Sequence, residues 1–386
     1  VVFDENRKVY SLEKQFQEDV IRRENDLKNN TITPVIFGDM LKDERRPIEK
    51  VNAGKTRIFS CGPFDFNFLT RKYFLSFVAH CMDNHVFGDI SVGINPRSQE
   101  WHMMLTDMLS IDGAFLAGDY SGFDKTLPFS FCMAAVKICN DFYDDEFSNL
   151  RECMANQIFS SYRMSDKLVY KDFHGMPSGT PVTAVFNSIV NSLLFRYVYY
   201  ISMRKHYFSS LSFLLNNYDC LIKFRAYGDY HIVSVHRDLV NVFNMVTISQ
   251  HFSDMGLEYT STSKQDVREQ TVALEDLSYL KRKFVRSKTG LFLAPLDPEV
   301  IWEMVCWTKS KQSDVEDDFV ACVMSARQEA AVHGRAFYNE FNNSVRRNCI
   351  KAGVEIPAQS YEEAFKIAYS DSANFGLMDS FYTQTG

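Results

Sequence analysis

Three aspartates stand where they can do chemistry. The first sits in FRAYGDYHIVSV, Phe224 to Val235, where two short apolar stretches meet at Gly228–Asp229. A two-residue Gly-Asp loop between β-rich flanks predicts a hairpin, with Asp229 at its exposed tip. A carboxylate fixed on a tight turn suits a hard cation such as Mg²⁺, although a Gly-Asp turn in isolation is an ordinary hairpin. The other two sit in AFLAGDYSGFDKTLP. Ala114–Ala117 is an apolar run consistent with a buried strand, Asp119 follows its end and Asp124 lies five residues later. Acids just past a buried strand suit a metal site, and equally the N-cap of a following helix.

Cationic and polar residues gather in four further stretches. KDERRPIEKVNAGKTRIFS carries Lys42, Arg45, Arg46, Lys50, Lys55 and Arg57, and Pro47 and Gly54 argue against a continuous helix through it. Such a run reads either as a solvated charged loop or as a set of cations offered to a polyphosphate. HGMPSGTPVTAVFN places Ser178 in a flexible Gly/Pro loop, with Pro181 in the first turn of a long helix. Thr183 and Asn187 then share one helix face. A buried Asn on an apolar helix needs a hydrogen-bond partner: a backbone carbonyl, or Asp124 facing it. YTSTSK puts Lys264 in a polar loop, and SYLKRKF, Ser278 to Phe284, reads as a strand or hairpin edge with Lys281, Arg282 and Lys283 in succession.

The elements that must position these residues belong to a chain of 386 residues, long enough for two or three subdomains. Apolar content of 46% and charged content of 24% are those of a globular protein. A net charge of −7 counts against nucleic-acid binding unless the basic residues cluster locally. The nine cysteines form no C-x-x-C pair, so they read as reduced thiols in a cytosolic setting. The apolar stretch Ala184–Met203 is interrupted by Asn187, Asn191 and Arg196, which excludes it as a transmembrane span. No signal peptide is visible, and an opening Val1 suggests a fragment or a processed product. Helices are expected over Ser11–Asn29, with too few apolar residues for a deep core, over 66–110 and 130–160, and over Leu239–Met255 with a stop at Gly256. A hairpin-like segment runs up to Phe173. In the helical tail, Asp297–Pro298, Ser313-x-x-Glu316 and Ser360-x-x-Glu363 are start signals, and Gly334 is a stop.

Taken in order, these stretches resemble the RNA-dependent RNA polymerases of picornavirus-like positive-strand RNA viruses, most of all the insect dicistrovirus and iflavirus branch. The resemblance spans about residues 40–285. KDERRPIEKVNAGKTR is similar to the family's basic fingers motif, which binds nucleotide phosphates; GDYSGFD, GMPSGTPVTAVFN and YGDY are similar to its first three palm motifs. YTSTSK is similar to the fourth, whose Lys acts as general acid, and YLKR to the primer grip. The resemblance implies an α+β right-hand fold, its palm a small antiparallel sheet flanked by helices, with an incomplete N-terminal part. Fingers would occupy 1–75 and 155–176, palm 76–154 and 177–288, thumb 289–386. It further implies template-directed RNA synthesis for viral genome replication with two Mg²⁺ ions, or Mn²⁺, held by Asp119 and Asp229, and Lys264 as proton donor. Lys42, Arg46, Lys50, Lys55 and Arg57 would meet the ribonucleoside triphosphate. Asp124, Asn187 and Ser178 or Thr183 would meet the ribose 2′-hydroxyl, and Lys281 and Arg282 the primer. Implied partners are RNA template and primer and a genome-linked protein primer, and the implied location is the host cytoplasm at membrane-associated replication sites.

The sequence departs from the family at two points. Tyr230 replaces the usual second aspartate of the third motif, which raises a weakened or inactive RNA-binding homologue as the alternative. The template-guiding motif and fingertips would precede Val1, leaving the thumb untethered to the fingers. A reverse transcriptase shares the palm chemistry, but Asp124 and Asn187 suit a ribose.

Overall fold

A computed structural model describes residues 2–3, 9–207, 210–262, 264–307 and 315–369. At its centre is a three-stranded antiparallel sheet in the order Gly113–Leu116, Tyr230–His236, Ile222–Tyr227. Tyr230 pairs with Tyr227, so the two-residue Gly228–Asp229 turn expected from the sequence is present, with Gly228 at φ +67°. A left-handed φ at the first turn residue is what glycine permits cheaply. Val233, Val235, Phe224 and Ala226 are buried, and the strands read as near-continuous apolar runs because helices cover the sheet. Beside it, Gly118–Tyr120 pairs with Tyr259–Ser261, placing Thr260 opposite Asp119. Asp119 therefore lies just past the first strand, as expected, within a second short strand.

The helix Thr183–Tyr207 runs against this sheet. Val185, Phe186, Ile189, Val190, Leu194, Phe195 and Val198 are all buried along it, as in a helix enclosed by its neighbours. Its interior also holds Asn187, Ser188, Asn191 and Ser192, and each of these side chains has a partner. Pro181 stays outside: the chain makes a turn at Thr180–Val182 before the helix begins.

A second, four-stranded sheet has the order Ile58–Cys61, Ile36–Leu41, Tyr162–Ser165, Leu168–Lys171. Its middle pair is parallel, Ile36 opposite Tyr162, so the chain leaves this layer, builds part of the central layer and returns. Helix Lys14–Lys28 packs against helices Phe64–Asp83 and Ser148–Phe159, and Val20 and Leu27 are buried in the main core, deeper than its sparse apolar content suggested. The helical region expected over 66–110 holds two helices, Phe64–Asp83 and Gln99–Leu109, and Ser98 caps the second. The expected helix to Gly256 is shorter, Met245–Asp254, because Asn244 forms a capping box with Thr247. Helices Phe129–Tyr143 and Ser148–Phe159 and the hairpin after them are as expected.

The tail has its own core around Ile301, Val323, Ala326, Tyr338, Phe341 and Phe365. Asp297 caps the Pro298–Met304 helix and Ser360 with Glu363 forms a capping box, as the sequence signals predicted. Gly334, φ +96°, separates Val315–Val332 from Arg335–Ala352, while Ser313 lies outside the described residues. All nine cysteines are free. Among the described residues no helix is long and apolar enough to cross a membrane.

Candidate active site

The two short strand pairs bring the aspartates together. Asp119 on Gly118–Tyr120 and Asp229 on the hairpin turn are electrostatic neighbours. Burial pushes the Asp229 carboxyl upward, and the negative charges of Asp124 and Asp119 push it further. Asp229 is half-buried rather than exposed, because the long helix packs over the turn. The Asn191 amide donates to the Gly228 carbonyl at 3.0 Å and the Asp229 carbonyl at 3.3 Å, and accepts from the Tyr120 hydroxyl at 3.1 Å. Ser188 accepts the Gly228 N–H at 2.7 Å and donates to the Ala184 carbonyl. Below the turn, His231 contacts the Asp229 carbonyl through Nδ1 at 3.1 Å and the Tyr259 hydroxyl through Nε2 at 2.8 Å. Burial depresses its basicity to about 4, so the ring is neutral. Ser188, Asn191, His231, Tyr120 and Tyr259 were not predicted from sequence. Asn191 carried the one available signal, a polar amide in an apolar helix.

Asp124 does not cap a helix. Gly122 takes the N-cap position of the Phe123–Thr126 turn, and the Asp124 carboxylate instead accepts from Asn187 Nδ2 at 2.5 Å. Burial raises the Asp124 carboxyl and the Asn187 hydrogen bond opposes that rise. Asn187 Oδ1 is buried without a partner. Thr183 turns elsewhere, bonding Thr180 and the Pro177 carbonyl, while Ser178 is exposed on the loop. Two glycines seat that loop. A Cβ on Gly175 would stand 2.5 Å from the Asp124 carbonyl, and one on Gly179 2.5 Å from that of Ser60. The backbone bonds Met176 N–H to Asp124 C=O and Gly179 N–H to Ser60 C=O close the same junction.

The cations arrive from two sides. Lys264 Nζ lies 3.3 Å from Asp119 Oδ2, on a residue with φ +61° inside a tight turn closed by Ser261 and Gln265. From the second sheet, Arg57 forms a bidentate pair with Glu44 and contributes a positive field at Asp229 and Tyr230. Arg46 bonds the Lys55 carbonyl; Lys42, Lys50 and Lys55 are exposed. Arg45 reaches Glu303 at 3.3 Å and lies 5.4 Å from the Trp307 ring, so a contact joins this loop to the tail despite the expectation of an untethered thumb. The Ser278–Lys283 hairpin turns through Leu280 and Lys281, both at positive φ, leaving Lys281 exposed. Arg282, expected to grip a primer, points inward to a bidentate pair with Glu329 at 2.8 and 2.9 Å.

Tyr230 is 46% exposed among these groups. Burial and the charges of Asp229 and Asp119 raise its phenol above the ordinary value, so it stays protonated and is no anionic ligand. Among the described residues no group of three or more His, Cys, Asp or Glu side chains forms a closed metal cage. Two hard carboxylates are nevertheless the complement that Mg²⁺ takes when waters and substrate phosphates fill its other positions. The residues present fit that ion.

The model of the viral RNA-dependent RNA polymerase family matches residues 3–350. The replicase polyprotein of acute bee paralysis virus is 33% identical over 352 residues, covering 89% of this chain and 18% of that protein. The replicase polyprotein of cricket paralysis virus is 32% identical over 371 residues, 92% of this chain and 20% of its own length. The chain thus spans about a fifth of these relatives. A sicinivirus 3Dpol RNA-dependent RNA polymerase superimposes with a TM-score of 0.77 at 20% identity, over 96% of this chain and 74% of its own, which gives the right-hand polymerase fold. By its matched residues and its fold, the chain belongs to the viral RNA-dependent RNA polymerase family.

Proposed function

We propose that the chain extends an RNA 3′ end by template-directed addition of ribonucleotides in viral genome replication. The observation that carries the reading is the meeting of Asp119 and Asp229 on adjacent strand pairs, with the Asp124–Asn187 pair beside them. Mg²⁺ ions held by the two aspartates would supply charge stabilisation to the attacking and leaving oxygens. The 3′-oxygen, its proton lost to solvent, attacks the α-phosphorus, and the bond to pyrophosphate breaks. Lys264, now against Asp119, gives its proton to the departing pyrophosphate. Arg57, Lys55, Lys42, Arg46 and Lys50 neutralise the triphosphate, which must draw Arg57 from Glu44. Asn187 Oδ1 accepts from the ribose 2′-hydroxyl, which gives a buried orphan acceptor its missing donor.

Fingers over 1–75 and 155–176, palm over 76–154 and 177–288, and thumb over 289–386 are part of the same proposal. The parallel pairing of 36–41 with 162–165 supports the returning fingers segment. Use of a genome-linked protein primer and action at membrane-associated sites in the host cytoplasm belong to it as well.

The neutral phenol of Tyr230 favours one second reading, a weakened or inactive RNA-binding homologue. Primer extension with Mg²⁺ and then Mn²⁺ separates the two. We expect extension by the wild type, and Tyr230→Asp to raise the rate about tenfold at low Mg²⁺ by adding a carboxylate. Extension by Tyr230→Asp alone would establish the second reading.

A further inference from the structure

Three short strands carry the groups proposed to react. Asp119 lies on Gly118–Tyr120, Asp229 in the turn that opens Tyr230–His236, and Lys264 in the turn after Tyr259–Ser261. The first and third pair with each other, Thr260 opposite Asp119. Among the described residues no strand pairing joins the strand of Asp119 to that of Asp229. Side chains must bridge them.

Tyr259 is the bridge. It is buried between Tyr120, Phe252 and His231, whose ring centres lie 5.2, 5.3 and 5.5 Å from its own. Its ring rests on the backbone of Gly118, where a Cβ would overlap it, so glycine is required beside Asp119 for space. Its hydroxyl lies 2.8 Å from His231 Nε2, and His231 Nδ1 lies 3.1 Å from the Asp229 carbonyl. Valence fixes the direction of both bonds. A carbonyl only accepts, so Nδ1 carries the proton; the buried ring is neutral, so Nε2 is bare and accepts the phenol O–H. The bonds run one way, from Tyr259 through His231 to the backbone of Asp229. His231 is only 2% exposed, so water does not compete for them.

We infer, taking Asp119 and Asp229 as the metal-holding pair proposed above, that the Tyr259–His231 hydrogen bond sets the separation of these two carboxylates. Tyr259 and His231 are positioning residues: they touch neither substrate nor ion, and act through Gly118 and the Asp229 backbone. The cations on the triphosphate side take no part in this bridge.

Mn²⁺ binding by the whole chain without nucleotide, read from the electron paramagnetic resonance signal of the free ion, tests this with no catalysis. Partners that orient metal ligands are worth about 10- to 100-fold in affinity. Tyr259→Phe keeps the ring and loses only the hydroxyl, and should weaken Mn²⁺ binding about tenfold while the chain stays folded by circular dichroism. His231→Leu should weaken it at least as much, and Tyr259→Phe adds nothing to His231→Leu because both break one bond. His231→Gln, whose amide oxygen can accept from Tyr259, should recover most of the loss. In primer extension Tyr259→Phe should lower kcat about tenfold and change the KM for nucleotide less than about twofold, since the triphosphate contacts are untouched. Mn²⁺ affinity unchanged in Tyr259→Phe, additive losses in the double variant, or wild-type binding no tighter than that of Asp119→Ala would overturn the proposal. A wild type that extends no primer, yet binds Mn²⁺ through Asp119 and loses it in Tyr259→Phe, would refute the polymerase reading alone and uphold the bridge.

Discussion

The carboxylates and the cations that face them are held by opposite means. Asp119 and Asp229 sit on paired strands, and the turn carrying Asp229 is fixed by buried hydrogen bonds from Ser188, Asn191 and His231. Arg57, Arg45 and Arg46 are placed by side-chain pairs to Glu44 and Glu303 near solvent and by one bond to a carbonyl, in a loop of exposed lysines. Backbone-anchored groups in a low-dielectric setting lose little freedom during reaction, whereas exposed ion pairs are weak and exchange readily. The acids form a fixed anvil. In the proposed function the cations form a cover that a triphosphate would recruit by outcompeting Glu44.

This contrast predicts a graded response to mutation. Among the contacts that support the carboxylates and cations, removing the buried hydrogen bonds should do the most harm. Asn191→Leu leaves the Gly228 carbonyl without its donor and the Asp229 carbonyl with His231 alone, and we expect a loss of extension rate of about 100-fold with a lowered melting temperature. Full activity in that variant would break the idea of an anchored turn. Next comes the proposed sugar contact. Asp124→Ala releases Asn187 from its 2.5 Å partner, and preference for ribonucleotides over deoxyribonucleotides should fall about tenfold; an unchanged ratio in competition assays would remove the sugar-sensing role. The smallest change is expected on the cation side. Glu44→Gln frees Arg57 from its counter-ion, so the KM for nucleotide should drop about twofold at low salt and converge with wild type at high salt. A large loss of kcat instead would show that the Glu44–Arg57 pair is as rigid a scaffold as the acid turn.

Legibility in the sequence follows the same division. The Asp229 hairpin was readable because Gly-Asp between apolar runs has one economical backbone solution, and the Asn187–Asp124 contact because a buried amide demands a partner. Caps at Asp297 and Ser360 were readable for the same local reason. Long-range choices were not. Nothing near Arg282 announces that Glu329 will claim it, nor does Arg45 reveal Glu303, 258 residues away. Ser188 and His231 look like ordinary core positions until the helix and the hairpin pack together. The break between Asp83 and Gln99 escaped periodicity because both helices bury large apolar faces.

The pairing of Asp119 with Asp229 as the reaction's carboxylates is the central claim, and Asp119→Ala tests it most directly. Primer extension on an RNA template across a Mg²⁺ titration, with RNA binding and melting temperature measured on the same samples, should show synthesis abolished while fold and RNA binding persist. Undiminished incorporation by Asp119→Ala would contradict the account.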